Sequence, residues 1–124
     1  MSFDLGVWYP DRPLTPAQAG ERYERLCAGE VREVAPSPSI DAFYAALVAR
    51  HPELDDVPED RLDDAAYCPW SAALDRSPGH VITCCVWSQA EAVRELVGAL
   101  AADHGLVLYD PQAGEVTFPP GDPR

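Results

Sequence analysis

The side chains best suited to bind a metal or attack an electrophile are the four cysteines, Cys27, Cys68, Cys84 and Cys85, and the three histidines, His51, His80 and His104. Zinc modules usually include a close C-x₂₋₄-C pair, and none occurs here. Cys84 and Cys85 are adjacent in a predicted strand, so their thiols point to opposite faces and do not converge on one ion. A nucleophilic thiol needs surroundings that favour the thiolate. Cys68 lies instead beside Pro69 and Trp70, close to an acidic run. His51 and His104 fall at predicted helix ends, and His80 opens a predicted strand. The chain has no glycine-rich phosphate loop, G-x-S-x-G elbow or H-E-x-x-H pair. Nothing singles out a catalytic pair among its 21 carboxylates. The expectation is therefore no catalytic residue, no metal and no cofactor, with the cysteines as free thiols in a reducing compartment.

Charge narrows the partners. Against 21 acidic residues stand nine basic ones, every one an arginine, for a net charge of −12. Heavy use of Ala, Arg, Asp and Pro without lysine matches a GC-rich bacterial coding bias. Such a charge disfavours nucleic acid and anionic membrane, which call for a basic footprint. It suits a basic protein partner, or solubility alone. With 47% apolar residues the chain is globular rather than disordered. No basic leader precedes Phe3 and no apolar run reaches the ~18 residues of a membrane span, so a cytoplasmic location is expected.

The elements that must position any site follow from periodicity. Phe3, Leu5, Val7 and Tyr9 alternate with Asp4, Gly6 and Trp8, which predicts a strand ended by Pro10 and Pro13. Thr15-Pro16-Ala17-Gln18 opens a helix with a capping box and proline at its first position. Its apolar stripe, Ala19, Tyr23, Leu26 and Cys27, is thin. Ile40, Phe43, Tyr44, Leu47 and Val48, after Ser37-Pro38, predict a second, strongly amphipathic helix ended by His51 and Pro52. Residues 53–64 hold seven carboxylates and one arginine. They lack the glycine and the spacing of a calcium loop. The run reads as a solvated acidic loop in which Asp55, Asp56, Glu59, Asp60, Asp63 and Asp64 could meet a basic partner.

Ser71 to Leu74 predicts a short strand or extended arm, and Asp75 to Gly79 a turn. His80 to Trp87 predicts a central strand. Ser88 to Glu91 reads as a capping box, opening a helix closed by His104 and Gly105. Leu106 to Tyr109 and Glu115 to Phe118 predict two further strands. The expected architecture is one α+β domain over 1–118, followed by a loose tail over 119–124. Its expected topology is a ferredoxin-like split βαβ sandwich with an extra helix and an extra C-terminal strand. In that expectation the first strand and His80–Trp87 are a central parallel pair, with both larger helices on one sheet face.

That arrangement brings Tyr9, Asp11 and Arg12 towards Trp70, Trp87 and Ser88 at one end of the sheet. The resulting aromatic rim could grip a planar or anionic ligand, or could simply close the core. Trp8, out of phase with Phe3, Leu5 and Val7, is expected away from the helix-covered core. There it would meet a partner or a second copy of the chain, unless the C-terminal strand covers it.

The opening SFDLGVW (residues 2–8), VWS (86–88) and GLVLYDPQ (105–112) resemble a group of small uncharacterised bacterial proteins with an SFDLxVW opening and a GLVxYDPQ close. The resemblance implies no activity. By size and charge the chain is also similar to acidic immunity proteins that neutralise toxins. A non-enzymatic protein-binding domain is the first expectation, and a small-ligand domain using the aromatic rim is the alternative.

Overall fold

The structure is a computed structural model that describes residues 2–119. Its centre is β1, Phe3–Trp8, which is paired on both edges. The helices α1 (Pro16–Cys27) and α2 (Pro38–Arg50) follow. Then come β2 (Asp75–Ser77), β3 (His80–Cys85), α3 (Ala90–Asp103), β4 (Val107–Asp110) and β5 (Glu115–Thr117). The strands lie in the order β2-β3-β1-β4-β5, and every neighbouring pair is antiparallel. The domain is thus α+β. The remainder of the expected tail, 120–124, lies outside the described residues.

Two expectations about the sheet need correction. β1 and β3 are neighbours, but they run antiparallel, with Phe3 opposite Cys85 and Trp8 opposite His80. The cause is the tight turn at Pro78-Gly79, which reverses the chain immediately before β3. That turn also moves β2. Its three residues are ones the sequence suggested as turn, whereas Ser71–Leu74 makes only an approach to the sheet. Trp70 forms a bridge to Cys85, and the Ser71 N–H donates to the Cys84 carbonyl at 2.9 Å. Gly79 is required where the turn tucks under the α1–α2 connection. A Cβ there would lie 2.6 Å from the Val34 carbonyl oxygen.

The second correction concerns layers. Phe3, Leu5 and Val7 pack with Ile40, Phe43 and Leu47 of α2 and with Val93, Val97 and Ala101 of α3. These two helices share one face, as expected. The opposite face is covered by α1: Trp8, Ile82, Val107 and Tyr109 pack with Ala19 and Leu26. Each large apolar side chain so enclosed contributes about 1.5–3 kcal/mol. The sheet therefore has no open face at β1, and Trp8, 1% exposed, is core.

Local signals at the helix ends were mostly accurate. Thr15 Oγ1 accepts from the Gln18 N–H at 3.1 Å, and the Gln18 side chain accepts from the Thr15 N–H at 2.9 Å. Ser37 Oγ caps α2 through the Ser39 N–H. His104 places Nδ1 2.8 Å from the Leu100 carbonyl, and Gly105 takes φ +67° just past α3. Ser88 is not the cap of α3. The Trp87 ring sits edge-on against Phe3, and residues 87–89 form a single tight turn that contains Ser88.

Candidate functional site

Antiparallel pairing divides the expected aromatic rim. Trp8 and His80 mark one end of the sheet, and Phe3 and Cys85 the other. Five residue steps of strand, roughly 17 Å, separate the two. Tyr9, Asp11 and Arg12 continue from the first end, whereas Trp70, Trp87 and Ser88 gather at the second. The rim as expected from the sequence is not assembled.

At the first end the ionic groups serve the fold. Arg22, on the inner face of α1, is 1% exposed and lies 5.6 Å from the centre of the Trp8 ring. Its guanidinium donates to both Asp11 carboxylate oxygens, at 3.0 and 3.3 Å. Burial raises the Asp11 pKa, but the hydrogen bond and charge of Arg22 outweigh it and hold the carboxyl below its ordinary range. Glu33 completes the cluster. It lies 3.7 Å from Arg12 and from Arg22 and is hydrogen-bonded to Arg25, which lowers its pKa. Asp11 and Arg12 therefore tie the loop after β1 to α1 and to the α1–α2 connection. Tyr9 is exposed beside them.

At the second end the groups divide between structure and surface. Trp70 is buried, and its Nε1–H donates to the His51 carbonyl at 3.2 Å. Trp87 remains 48% exposed despite its contact with Phe3, and Ser88 is exposed. The acidic loop returns to the sheet at this end, where the Val86 N–H donates to the Pro69 carbonyl at 2.9 Å. Trp87 directly follows that contact.

The loop itself is two short 3₁₀ turns, Leu54–Asp56 and Glu59–Arg61. Glu53 pegs its start, accepting from the Tyr44 hydroxyl at 2.7 Å and the Leu74 N–H at 3.1 Å. Asp64 pegs its end, accepting from the Ala66 and Tyr67 N–H groups at 3.1 and 3.2 Å and pairing with Arg61 at 3.0 Å. Asp64 is thus a turn cap rather than a free contact residue. Between these pegs Asp55, Asp56, Glu59, Asp60 and Asp63 are exposed, and so is Leu62, at 63%.

The cysteines are all free thiols. Cys84 faces α1 and Cys85 the α2/α3 core. Burial pushes their pKa values up to about 12 and about 11, with Asp4 adding to both. Burial likewise raises Cys68. Among the described residues, no group of three or more His, Cys, Asp or Glu side chains is placed to hold a metal. An apolar groove of about 200 Å³ runs between α3 and residues 117–119, lined by Arg94, Gly98, Leu106 and Phe118 among others. None of the expected rim residues lines it.

The three sequence signatures meet structurally. Gln112 mimics a strand partner of Asp4: its Oε1 accepts from the Asp4 N–H at 2.7 Å and its Nε2 donates to the Asp4 carbonyl at 2.8 Å. Asp110, buried, accepts from the Gln112 and Ala113 N–H groups and from Arg94. Phe3 carries Trp87. These residues close one end of the sheet, and their spacing is explained by packing.

Sequence reasoning passed over one polar cluster. Asp75, Ser77 and His80 share a face of the β2–β3 hairpin, and the only sequence signal was the S-P-G-H spacing, which places Ser77 opposite His80. No family model, curated protein sequence or solved structure matches this chain.

Proposed function

We propose that this chain is a non-enzymatic protein-binding domain that docks a basic partner through its acidic loop, in the manner of an acidic immunity protein. The observation that carries this reading is the run of exposed carboxylates, Asp55, Asp56, Glu59, Asp60 and Asp63, in the same loop as the uncovered side chain of Leu62. An exposed apolar side chain flanked in the chain by like charges suits an interface whose centre is dry and whose rim steers a cationic surface. Trp87, exposed beyond the loop's return arm, supplies an aromatic of the kind enriched at binding hot spots. Among the described residues no helix is long and apolar enough to cross a membrane, which is compatible with the cytoplasmic site we infer. The strand order, in which each helical crossover skips one strand, supports treating the sheet as an elaborated ferredoxin-like split βαβ. The signature residues support grouping the chain with the small bacterial proteins it resembles.

The test is capture from native cytoplasm by the intact chain. It is compared with a variant carrying Asp55→Asn, Asp56→Asn, Glu59→Gln and Asp60→Asn. The expected result is a basic protein held by the parent, lost from the variant, and released from the parent at about 1 M salt, where the Debye length is near 3 Å. Capture that is indifferent to both the substitutions and salt would refute the reading.

A further inference from the structure

We propose that Ser77 is a reactive serine, with His80 as its base and the charge of Asp75 supporting the imidazolium, that takes an acyl group from a small activated ester. The site is independent of the acidic loop, because the β2–β3 turn lies at the Trp8 end of the sheet. Register creates it. Ser77 pairs with His80 and Asp75 with Ile82, so Asp75 and Ser77 point to the same sheet face as His80. Ser77 Oγ lies 2.6 Å from His80 Nδ1, and Asp75 Oδ1 lies 3.7 Å from His80 Nε2.

The neighbours are compatible with the proton placement the step requires. The Gly79 N–H donates to Ser77 Oγ at 3.2 Å, which leaves the hydroxyl proton free to point at Nδ1. The step uses the tautomer with the lone pair on Nδ1 and the proton on Nε2, on the side of the Asp75 carboxylate. A general base needs a neutral imidazole aimed at the nucleophile, and the Asp75 carboxylate, 3.7 Å from Nε2 and not hydrogen-bonded to it, supports the imidazolium through its charge.

Burial makes the arrangement costly as a purely structural choice. His80 is 1% exposed, and its Nε2 has no hydrogen-bond partner. A β-branched residue would fill a strand position between Trp8 and Ser77 without an unpaired polar atom. Ser77, by contrast, is only half-buried, in the short edge strand β2. The nucleophile is therefore more open to solvent than its base.

The step balances within the hairpin and one acyl donor. Ser77 Oγ attacks the ester carbonyl carbon as its proton passes to His80 Nδ1. The Oγ–C bond forms, the bond from carbon to the leaving oxygen breaks, and His80 returns the proton to the departing alkoxide or phenoxide. The Gly79 N–H is taken by Oγ rather than held ready for a carbonyl oxyanion. The expected outcome is stoichiometric acylation, not turnover.

The probe is p-nitrophenyl acetate on the full chain, read by phenolate release, intact mass and peptide mapping, with exposed Ser88 as the internal reference. Mapping separates serine adducts from those on cysteine. The expected result is one acetyl group on Ser77, formed on the order of a hundredfold faster than on Ser88. His80→Gln abolishes that preference. Asp75→Asn, at an exposed position that leaves the fold intact, slows Ser77 labelling about tenfold and leaves Ser88 unchanged. The second variant decides the matter if the first fails to fold. Equal labelling of Ser77 and Ser88, or a Ser77 rate indifferent to Asp75→Asn, overturns the proposal.

Discussion

The two faces of the sheet are built from different materials. The face under α2 and α3 is apolar, filled by Leu5, Val7, Ile40, Leu47, Val93 and Val97 with Phe3, Phe43 and Trp70 among them. The face under α1 joins its aromatics to a buried ion. Trp8 stacks near Tyr109, with ring centres 6.2 Å apart, Tyr109 meets Tyr23 at 5.5 Å, and the Arg22 guanidinium closes over Trp8. The first face depends on shape and burial alone. The second depends also on an ion pair that must stay intact, and so it can fail in two ways.

Removing the largest shared side chain separates these dependences. Trp8→Ala should cost about 3–5 kcal/mol, because it opens a cavity between α1 and the sheet and takes away the surface on which Arg22 rests. Urea unfolding measures the loss. A cost below about 1 kcal/mol would mean that α1 is only loosely seated and that the second face contributes little.

The ion pair predicts an asymmetry. Asp11→Ala leaves the Arg22 charge buried, with Glu33 3.7 Å away as its remaining carboxylate, and should cost about 2 kcal/mol. Arg22→Leu removes the buried charge itself and leaves Asp11, which is partly exposed, to water. Replacing a buried charge by a well-packed apolar group is often close to neutral, so this change should cost about 1 kcal/mol or less. Equal costs for the two substitutions would show that the pair acts through packing rather than charge.

His80 makes the same face sensitive to acid. Burial lowers its pKa below the ordinary value, and Asp75 opposes the shift only in part. The folded chain therefore holds the imidazole neutral where the unfolded chain already binds a proton. The contribution to stability is complete above the unfolded value near pH 6.5 and declines as pH falls below it towards the folded value. Thermal midpoints should drop over that interval, and the drop should shrink in a folded His80→Gln variant. A midpoint that stays flat there would place the imidazole in contact with water.

The difference between the faces also decides how much could be read beforehand. The α2/α3 face announces itself through Ile40, Phe43 and Leu47 at helical spacing and Phe3, Leu5 and Val7 at strand spacing. The caps at Thr15 and Ser37 and the glycine stop at Gly105 are local signals, and they hold. The α1 face carries only a thin pattern, Ala19, Tyr23 and Leu26, because its central inward residue is Arg22, which pattern reasoning assigns to solvent. Trp8, Tyr23 and Tyr109 were legible only as separate aromatics. Strand direction was misread because it depends on where the chain reverses, and Pro78-Gly79 rather than Asp75 to Gly79 proved to be the turn. The candidate contact list divided for the same reason. A rim drawn across parallel strands is split when they run antiparallel, whereas the acidic loop, a local feature, remained exposed in sequence and structure alike.

The smallest effects should come from that loop, and they distinguish its two kinds of carboxylate. Asp60 is exposed, and its replacement by asparagine should change stability by no more than about 0.5 kcal/mol, the usual range for such surface positions. Asp64 satisfies two backbone N–H groups and closes the loop onto Tyr67, which also receives the Arg61 guanidinium 4.7 Å from its ring centre. Asp64→Ala should therefore cost about 1 kcal/mol, as loss of a capping side chain does. For partner capture the order should reverse per unit of stability lost. Asp60→Asn would weaken capture while leaving the urea midpoint in place, and Asp64→Ala would weaken it only as far as the loop loses its shape. If Asp60→Asn instead lowers the midpoint as much as Asp64→Ala, the exposed run belongs to the architecture of the domain, and the contrast between a structural face and a recognition surface collapses.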